Sequence, residues 1–446
     1  MSRSRIFAAS ALALLLLAAG CVPARAGTRC RSTDWGDDGT YVLRCERGKW
    51  VRKATKVQVA QLVIAIIRSR TTTTSAPTTT TSPPPAPVYA IASGYQHSCS
   101  IRSGAVWCVG RNNYGQLGNG TTTDSTAWVS TGMTGAVSVD AGSLHSCAVK
   151  ADGTAWCWGI GGLGMLGDGG TTNSSSPVQV IGLTTARQIT TGGNGSCATT
   201  STGDVYCWGY AASGDGGVGV GPIDRTSISN VARVSAGSNH TCAVKTDTTV
   251  WCWGANGTSQ LGDGTTTSGS YPVQVTVSPG VPFTGAVDVA AGGFDDGITP
   301  AVDGTSCAVK ADGTVWCWGS DLNGLLGNGS GSTSIQPRAA QVAGVTGAAH
   351  VAIGFYQVCV VRAAGGGTCW GLNYVGQLGN GTSTASTSPV EVTGLVGATT
   401  ISSGQANSCV LLATNAAKCW GGGDYGRLGT GTITGAPTPA NVIGMP

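Results

Sequence analysis

The chain has 446 residues, long enough for one large core or several, and 72 of them are glycine while only 10% are charged. That composition excludes a helical bundle and points to many short strands joined by Gly-rich turns, as in sandwiches, barrels and propellers. The formal charge of +4 is uneven: residues 27–70 hold ten Lys/Arg against four Asp/Glu, and residues 71–446 hold twelve against seventeen, so the main body lacks the basic face that nucleic-acid binding requires.

Residues 1–26 read as a secretory signal. Arg3 and Arg5 precede an apolar run, Ala8 to Ala19, that is too short to span a membrane, and small residues follow. Two cleavage sites stay open. Ala24-Arg25-Ala26 fits a small-x-small site, whereas Ala18-Ala19-Gly20-Cys21 resembles a bacterial lipobox, in which Cys21 is lipidated and becomes the mature N-terminus. The expected location is therefore outside the cytoplasm, secreted or at the cell surface, with membrane attachment only through that lipid.

Residues 27–70 form a small basic module. Cys30 and Cys45 flank Asp38-Gly39, a hairpin signal, and Trp35, Tyr41 and Trp50 supply a minimal core or a stacking surface. Val57–Ile67 reads as a short helix. The positive charge suits an anionic cell-wall polymer or lipid headgroups. Residues 71–87, TTTTSAPTTTTSPPPAP, are an extended, semi-rigid Thr/Pro linker.

Residues 88–446 are a repeat array. Beyond Cys21, the 17 cysteines leave eight close pairs: Cys30 with Cys45, Cys99 with Cys108, Cys147 with Cys157, Cys197 with Cys207, Cys242 with Cys252, Cys307 with Cys317, Cys359 with Cys369, and Cys409 with Cys419. Pairing with no remainder reads as disulfides in an oxidising compartment. Zinc ligands sit closer together and gather in fours, so no metal is expected. Seven units of four short strands each, for example Val137–Ala141, His145–Lys150, Ala155–Gly159 and Pro177–Val180, predict an all-β, seven-bladed propeller.

Each cysteine pair belongs to a hairpin. Placing Cys147 opposite Cys157 leaves Ala151-Asp152-Gly153 as a three-residue loop with glycine at the left-handed position. The same rule gives Ser201-Thr202-Gly203, Ala311-Asp312-Gly313, Ala363-Ala364-Gly365 and Ala413-Thr414-Asn415. In the first unit, where the spacing is one shorter, it gives Ser103-Gly104. Thr248 breaks the pattern. On the other face, Trp156 and Trp158 oppose Ala148 and Ser146.

The units Gly-x-x-His-[Ser/Thr]-Cys-Ala-Val, Trp-Cys-Trp-Gly and Gly-Gln-Leu-Gly-[Asn/Asp]-Gly-Thr resemble repeats of the regulator of chromosome condensation family. The matching residues include His97, His145 and His240, the Trp-Gly pairs at Trp158, Trp208, Trp253, Trp318, Trp370 and Trp420, and Gly115–Gly120 and Gly376–Gly381. Unit three departs from the pattern, with Gly195 for the histidine and SGDGGVGVG for the Leu-Gly turn. The resemblance implies a seven-bladed propeller. The family includes a nucleotide exchange factor for a nuclear small GTPase, a role that a signal peptide and disulfides put out of reach here. Similarity to secreted bacterial members, among them a propeller-type β-lactamase inhibitor, implies protein binding through one face.

Little in the array points to catalysis. The repeated histidines read as structural, bonding a neighbouring turn, and His350 stands outside the repeat without a recognisable partner. Paired carboxylates and nucleophile motifs are missing from the pattern, so neither enzyme activity nor a cofactor is expected. Between Gly292 and Cys307 lies a ten-residue insertion relative to Gly142 and Cys147. It joins strands one and two, and so opens on the same face as the long loops between strands three and four. Phe294, Asp295 and Asp296 in the insertion, with Tyr114, Trp128, Tyr210, Tyr271, Tyr374 and Tyr425 from the long loops, form the expected binding surface for a protein partner of a monomeric chain. The alternative is a cell-wall- or carbohydrate-associated structural protein docked through residues 27–70.

Overall fold

The structure, a computed structural model, describes residues 22–23, 35–37, 41–46, 49–55, 89–210, 219–224, 228–294, 303–331 and 334–445. The chain divides into two units, Met1–Pro85 and Ala86–Pro446. In the first, Val22–Pro23, Trp35–Asp37, Tyr41–Glu46 and Lys49–Thr55 form a sheet in sequence order. Trp35 pairs with Arg44 and Asp37 with Val42, antiparallel. Cys21, Cys30 and Val57–Ile67 lie outside the described residues, and with Cys30 so does the expected bridge to Cys45.

The second unit contains seven four-stranded antiparallel sheets, each in sequence order, with one short extra hairpin, Thr276–Ser278 with Val281–Pro282, ahead of blade 5. Blade 1 comprises Tyr89–Ser93, His97–Arg102, Ala105–Gly110 and Ser125–Ser130, and blade 2 comprises Ala136–Ala141, His145–Lys150, Ala155–Gly159 and Ser174–Gln179. Blade 7 comprises Ala398–Ser403, Asn407–Leu412, Ala417–Gly421 and Ala436–Asn441. The fourth strand of blade 2 starts earlier than predicted. The register jumps between Cys157 and Gly159, which lets Ser174 pair with Gly159, and a serine run gives no strand signal by itself.

The central hairpins take the expected register. Cys147 faces Cys157, Ala148 faces Trp156 and Ser146 faces Trp158. Seven disulfides form, one in each blade and each across one hairpin. Cys99 is bonded to Cys108, Cys147 to Cys157, Cys197 to Cys207 and Cys242 to Cys252. Cys307 is bonded to Cys317, Cys359 to Cys369 and Cys409 to Cys419. The paired Cα atoms lie 4.0–4.1 Å apart, because the two cysteines of each pair stand directly opposite across the ladder. Ser103 and Gly104 turn with φ of 49° and 83°, a two-residue loop with both residues left-handed. Thr248 adopts φ 67° where sister blades use glycine, and its Oγ1 accepts the Gly285 N–H at 3.0 Å. That bond offsets part of the cost of a β-branched residue in this conformation.

Packing occurs between blades rather than within them. Seven apolar clusters fill the seven seams, such as Ile101, Leu117, Ala148 and Trp158 between blades 1 and 2. Second strands are therefore buried on both faces, which is why they read as continuous apolar and small runs.

Two side-chain devices recur at the seams. First, Nε2 of His97 meets Oγ of Ser146 in the next blade at 2.8 Å, and that hydroxyl donates to the Gln116 carbonyl at 3.0 Å. With the hydroxyl proton committed to the carbonyl, the imidazole carries its hydrogen on Nε2. His145 meets Ser196 and His240 meets Ser306 in the same way, each at 2.8 Å. His97 and His240 thus reach a turn of a strand-three-to-four loop, at Gln116 and Gln260, through a serine. Burial lowers their pKa values to about 3, 4 and 4 for His97, His145 and His240. Second, the strand-three tryptophan donates Nε1 to the preceding blade: Trp158 to Gln116, Trp208 to Met165, Trp318 to Gln260, Trp370 to Leu325 and Trp420 to Gln377, at 2.8–3.1 Å. Glycine is required beside that ring, since a Cβ on Gly118 would meet Trp158 Nε1 at 2.7 Å.

The ring closes between blades 7 and 1 without exchanging a strand. Gln405 N–H donates to the Gly94 carbonyl, as Tyr95 does to Gly142 and Phe355 to Gly404. Blade 1 has Val109 where other blades have the tryptophan. Trp128, from the fourth strand, fills the vacated space, and a Cβ on Gly429 would meet its Nε1 at 2.6 Å. Ser98 Oγ donates to the Arg427 carbonyl at 2.8 Å, and Arg102 reaches the Asn415 carbonyl.

Candidate functional site

The first strands surround a central channel of about 360 Å³. Their inner edges would expose unpaired N–H groups. Channel-side residues of one blade accept the N–H of the next: Asp140 takes Thr191, Thr190 takes Ala236, Ser235 takes Ala291, Asp288 takes Val351 and Ser402 takes Ser93, at 2.7–3.2 Å. Enclosure between strands pushes the Asp140 carboxyl up to about 6 against the pull of its hydrogen bonds. His350, expected to be partnerless, instead places Nδ1 3.1 Å from Asp288, whose other oxygen lies 3.6 Å from Arg233. The three residues join blades 4, 5 and 6. All of this polar chemistry is committed to holding the channel wall together.

The face carrying the strand-one-to-two turns and strand-three-to-four loops is different. The Tyr95 and Phe355 rings sit 5.3 Å apart, reaching over blade 7 from blades 1 and 6, and Phe355 meets Tyr356 edge-on at 6.5 Å. Tyr374 lies near enough to Tyr356 to raise its phenol pKa, behind the larger effects of burial and of Tyr95. Beneath this group, the buried Arg427 guanidinium binds the carbonyls of Gly422 and Tyr95, Gln405 Oε1 and Asp424 Oδ2 at 2.8–3.3 Å. Arg111 stacks on Tyr425, 5.2 Å from its centroid. Tyr374 is 61% exposed, and Val375 and Tyr425 are exposed beside it. Tyr425 has φ 60° and Leu163, in blade 2, has φ 61°, uncommon for large side chains. The result is an aromatic patch across blades 6, 7 and 1, held by one buried arginine.

The predicted residues fare unequally. Tyr374 and Tyr425 belong to this patch. Tyr114 lies half-buried on the same face, Tyr210 is exposed on blade 3, and Tyr271 is exposed on blade 4 but lies in the fourth strand rather than in a loop, because that strand begins at Gly269. Trp128 is corrected: it is 7% exposed, in a strand, and holds the last seam closed. The insertion lengthens the first hairpin of blade 5, adding the pairs Gly292–Thr305, Gly293–Gly304 and Phe294–Asp303. Asp295 and Asp296 lie outside the described residues, as does the SGDGGVGVG stretch of unit three apart from its last three residues. Tyr95, Phe355 and Tyr356 were missed because their turns looked tight. The available signal was an aromatic directly after glycine, in Gly94-Tyr95 and Gly354-Phe355.

Seven repeated four-stranded blades closed into a ring define a β-propeller of the repeat type. The chain belongs to the regulator of chromosome condensation (RCC1) repeat family, whose repeats match at residues 88–116, 136–164, 186–215, 231–260 and 301–325, and by a second description of the repeat at 103–149, 152–199, 247–294 and 369–411. Among solved structures it is similar to Prp20p of Saccharomyces cerevisiae, a protein described by its binding to Gsp1p and histones, at 18% identity, with 75% of this chain and 85% of that one covered and a TM-score of 0.62. It is similar to human WBSCR16 at 19% identity, covering 76% and 94%, with a TM-score of 0.65. Yeast Prp20 bound by Kap60 matches at 17%, covering 83% and 90%, with a TM-score of 0.64. At these identities the likeness concerns the fold. Among the described residues no helix is long and apolar enough to cross a membrane.

Proposed function

We propose that this chain is an exported, non-enzymatic binding protein that captures a protein partner on the aromatic patch of blades 6, 7 and 1. The carrying observation is the cluster of Tyr95, Phe355, Tyr356 and Tyr374 on a rigid, cross-linked ring. Rings on such a base cost little entropy to bury, and aromatics dominate interface energetics. Prp20p binds proteins on the same architecture, which supports the reading. The signal-like residues 1–26 and the paired cysteines support export.

The test is capture from envelope and medium fractions by the wild type, by Phe355→Ser with Tyr374→Ser, and by Val396→Ser, which changes an exposed residue in the strand-four-to-one connection of the opposite face. The expected result is a band lost with the first variant and kept with the second. Capture unaffected by the patch substitutions overturns the reading.

A further inference from the structure

A groove lies over the seam between blades 7 and 1, beside the aromatic patch. It holds about 590 Å³ and is lined by Gln96, Asp124, Ser125 and Thr126 from blade 1 and by Asp424, Tyr425 and Ile433 from blade 7. That volume is within the roughly 300–1,000 Å³ typical of small-ligand sites.

The charges of the groove cancel. Asp424 is matched by Arg427, 3.0 Å away. Asp124 adds one negative charge, and Arg111, which bonds the lining residue Gln96 at Oε1 and stacks on the lining residue Tyr425, brings one positive charge to the same groove. A cation or an anion therefore gains no net attraction. What the groove offers is a dense mixture of donors and acceptors. Asp124 spends Oδ1 on the Asn112 N–H at 2.7 Å and keeps Oδ2. The guanidinium of Arg111, the Gln96 amide and the Thr126 hydroxyl supply further polar contacts. Tyr425 presents a ring held by a left-handed backbone, and Ile433 is 64% exposed.

A ligand matching this inventory is uncharged, carries many hydroxyls that both donate and accept, and has a C–H face to lay on a ring. We propose that the groove binds a neutral oligosaccharide, bridging blades 7 and 1. The groove shares Tyr425 with the aromatic patch, whereas the protein-binding reading rests on Tyr95, Phe355, Tyr356 and Tyr374, which do not line the groove.

The test is calorimetric titration of the full chain with cellohexaose and chitohexaose, with hexalysine and hexaglutamate as charged comparators. Tyr425→Asn removes the ring while keeping the backbone, because Asn323 holds φ 64° at the equivalent place in blade 5. Asp124→Asn keeps an acceptor for Asn112 and removes the charge. The expected result is binding of at least one hexasaccharide, weakened roughly tenfold by Tyr425→Asn and roughly threefold by Asp124→Asn. The proposal is overturned if neither sugar binds at about 10 mM, if either charged peptide binds the groove in its place, or if both folded variants bind sugar as the wild type does.

Discussion

Nε2 of His97 lies 2.8 Å from Oγ of Ser146, a residue of the neighbouring blade. The bond joins an imidazole with no exposure to water, where burial opposes a second proton. His145 and His240 repeat it, so three buried histidines must stay uncharged for the ring to hold.

Acid should therefore open the propeller. The folded pKa values of about 3 to 4 lie below the unfolded value near 6.5, so these groups stabilise the fold fully above that value and lose the contribution as pH falls toward 4. Around pH 5, three protons taken up on unfolding give a slope of about 4 kcal/mol per pH unit. Gln357 shows a neutral replacement at the same position in blade 6, where Nε2 binds the Asn407 carbonyl at 3.0 Å. Replacing all three histidines with glutamine should flatten the fall in Tm between pH 6.5 and 4.5. An unchanged profile would assign acid sensitivity elsewhere.

The seam between blades 7 and 1 should open first. Its apolar cluster has six buried residues, against eight to fifteen elsewhere. Asn407 stands at the histidine position with both amide atoms unpartnered, and Trp128 Nε1 likewise lacks a partner. Hydrogen exchange should be fastest, among first strands, in Tyr89–Ser93. Trp128→Ala should cost about 3–5 kcal/mol by emptying the seam.

Much of this was legible from residue spacing. Hairpin register depends on local arithmetic, so cysteine spacing and loop length specify it together. The seat of Trp128 was not, because it depends on blade 7 meeting blade 1 across the whole ring. Val109, the single gap in the Trp-Gly column, was the available clue. The His350–Asp288 pair joins residues 62 positions apart and has no sequence signature.

Thr248→Gly should stabilise the protein. The left-handed backbone costs threonine about 1–2 kcal/mol, while glycine adopts it freely in the sister loops, as at Gly153 with φ 82°. Losing the bond to Gly285 offsets part of the gain, leaving about 1 kcal/mol in denaturant unfolding.

Asp140→Ser should stabilise the fold at pH 8 and leave it unchanged near pH 3.5. The raised carboxyl pKa of about 6 means that its contribution is full below the unfolded value near 3.8 and is lost as pH rises through 6. Serine at the same strand position accepts the neighbouring N–H in blades 4 and 7. Because channel water solvates part of the charge, the gain is on the order of 1 kcal/mol.

The most direct test of the account is cystine mapping of protein taken from its native source and unfolded without reductant in the presence of the alkylating agent. The account expects seven short peptides, each holding one bridge, from Cys99–Cys108 to Cys409–Cys419, with no alkylated thiol among them. Alkylated cysteines at these positions in native protein, or bridges joining different blades, would contradict a ring built from seven independently cross-linked hairpins.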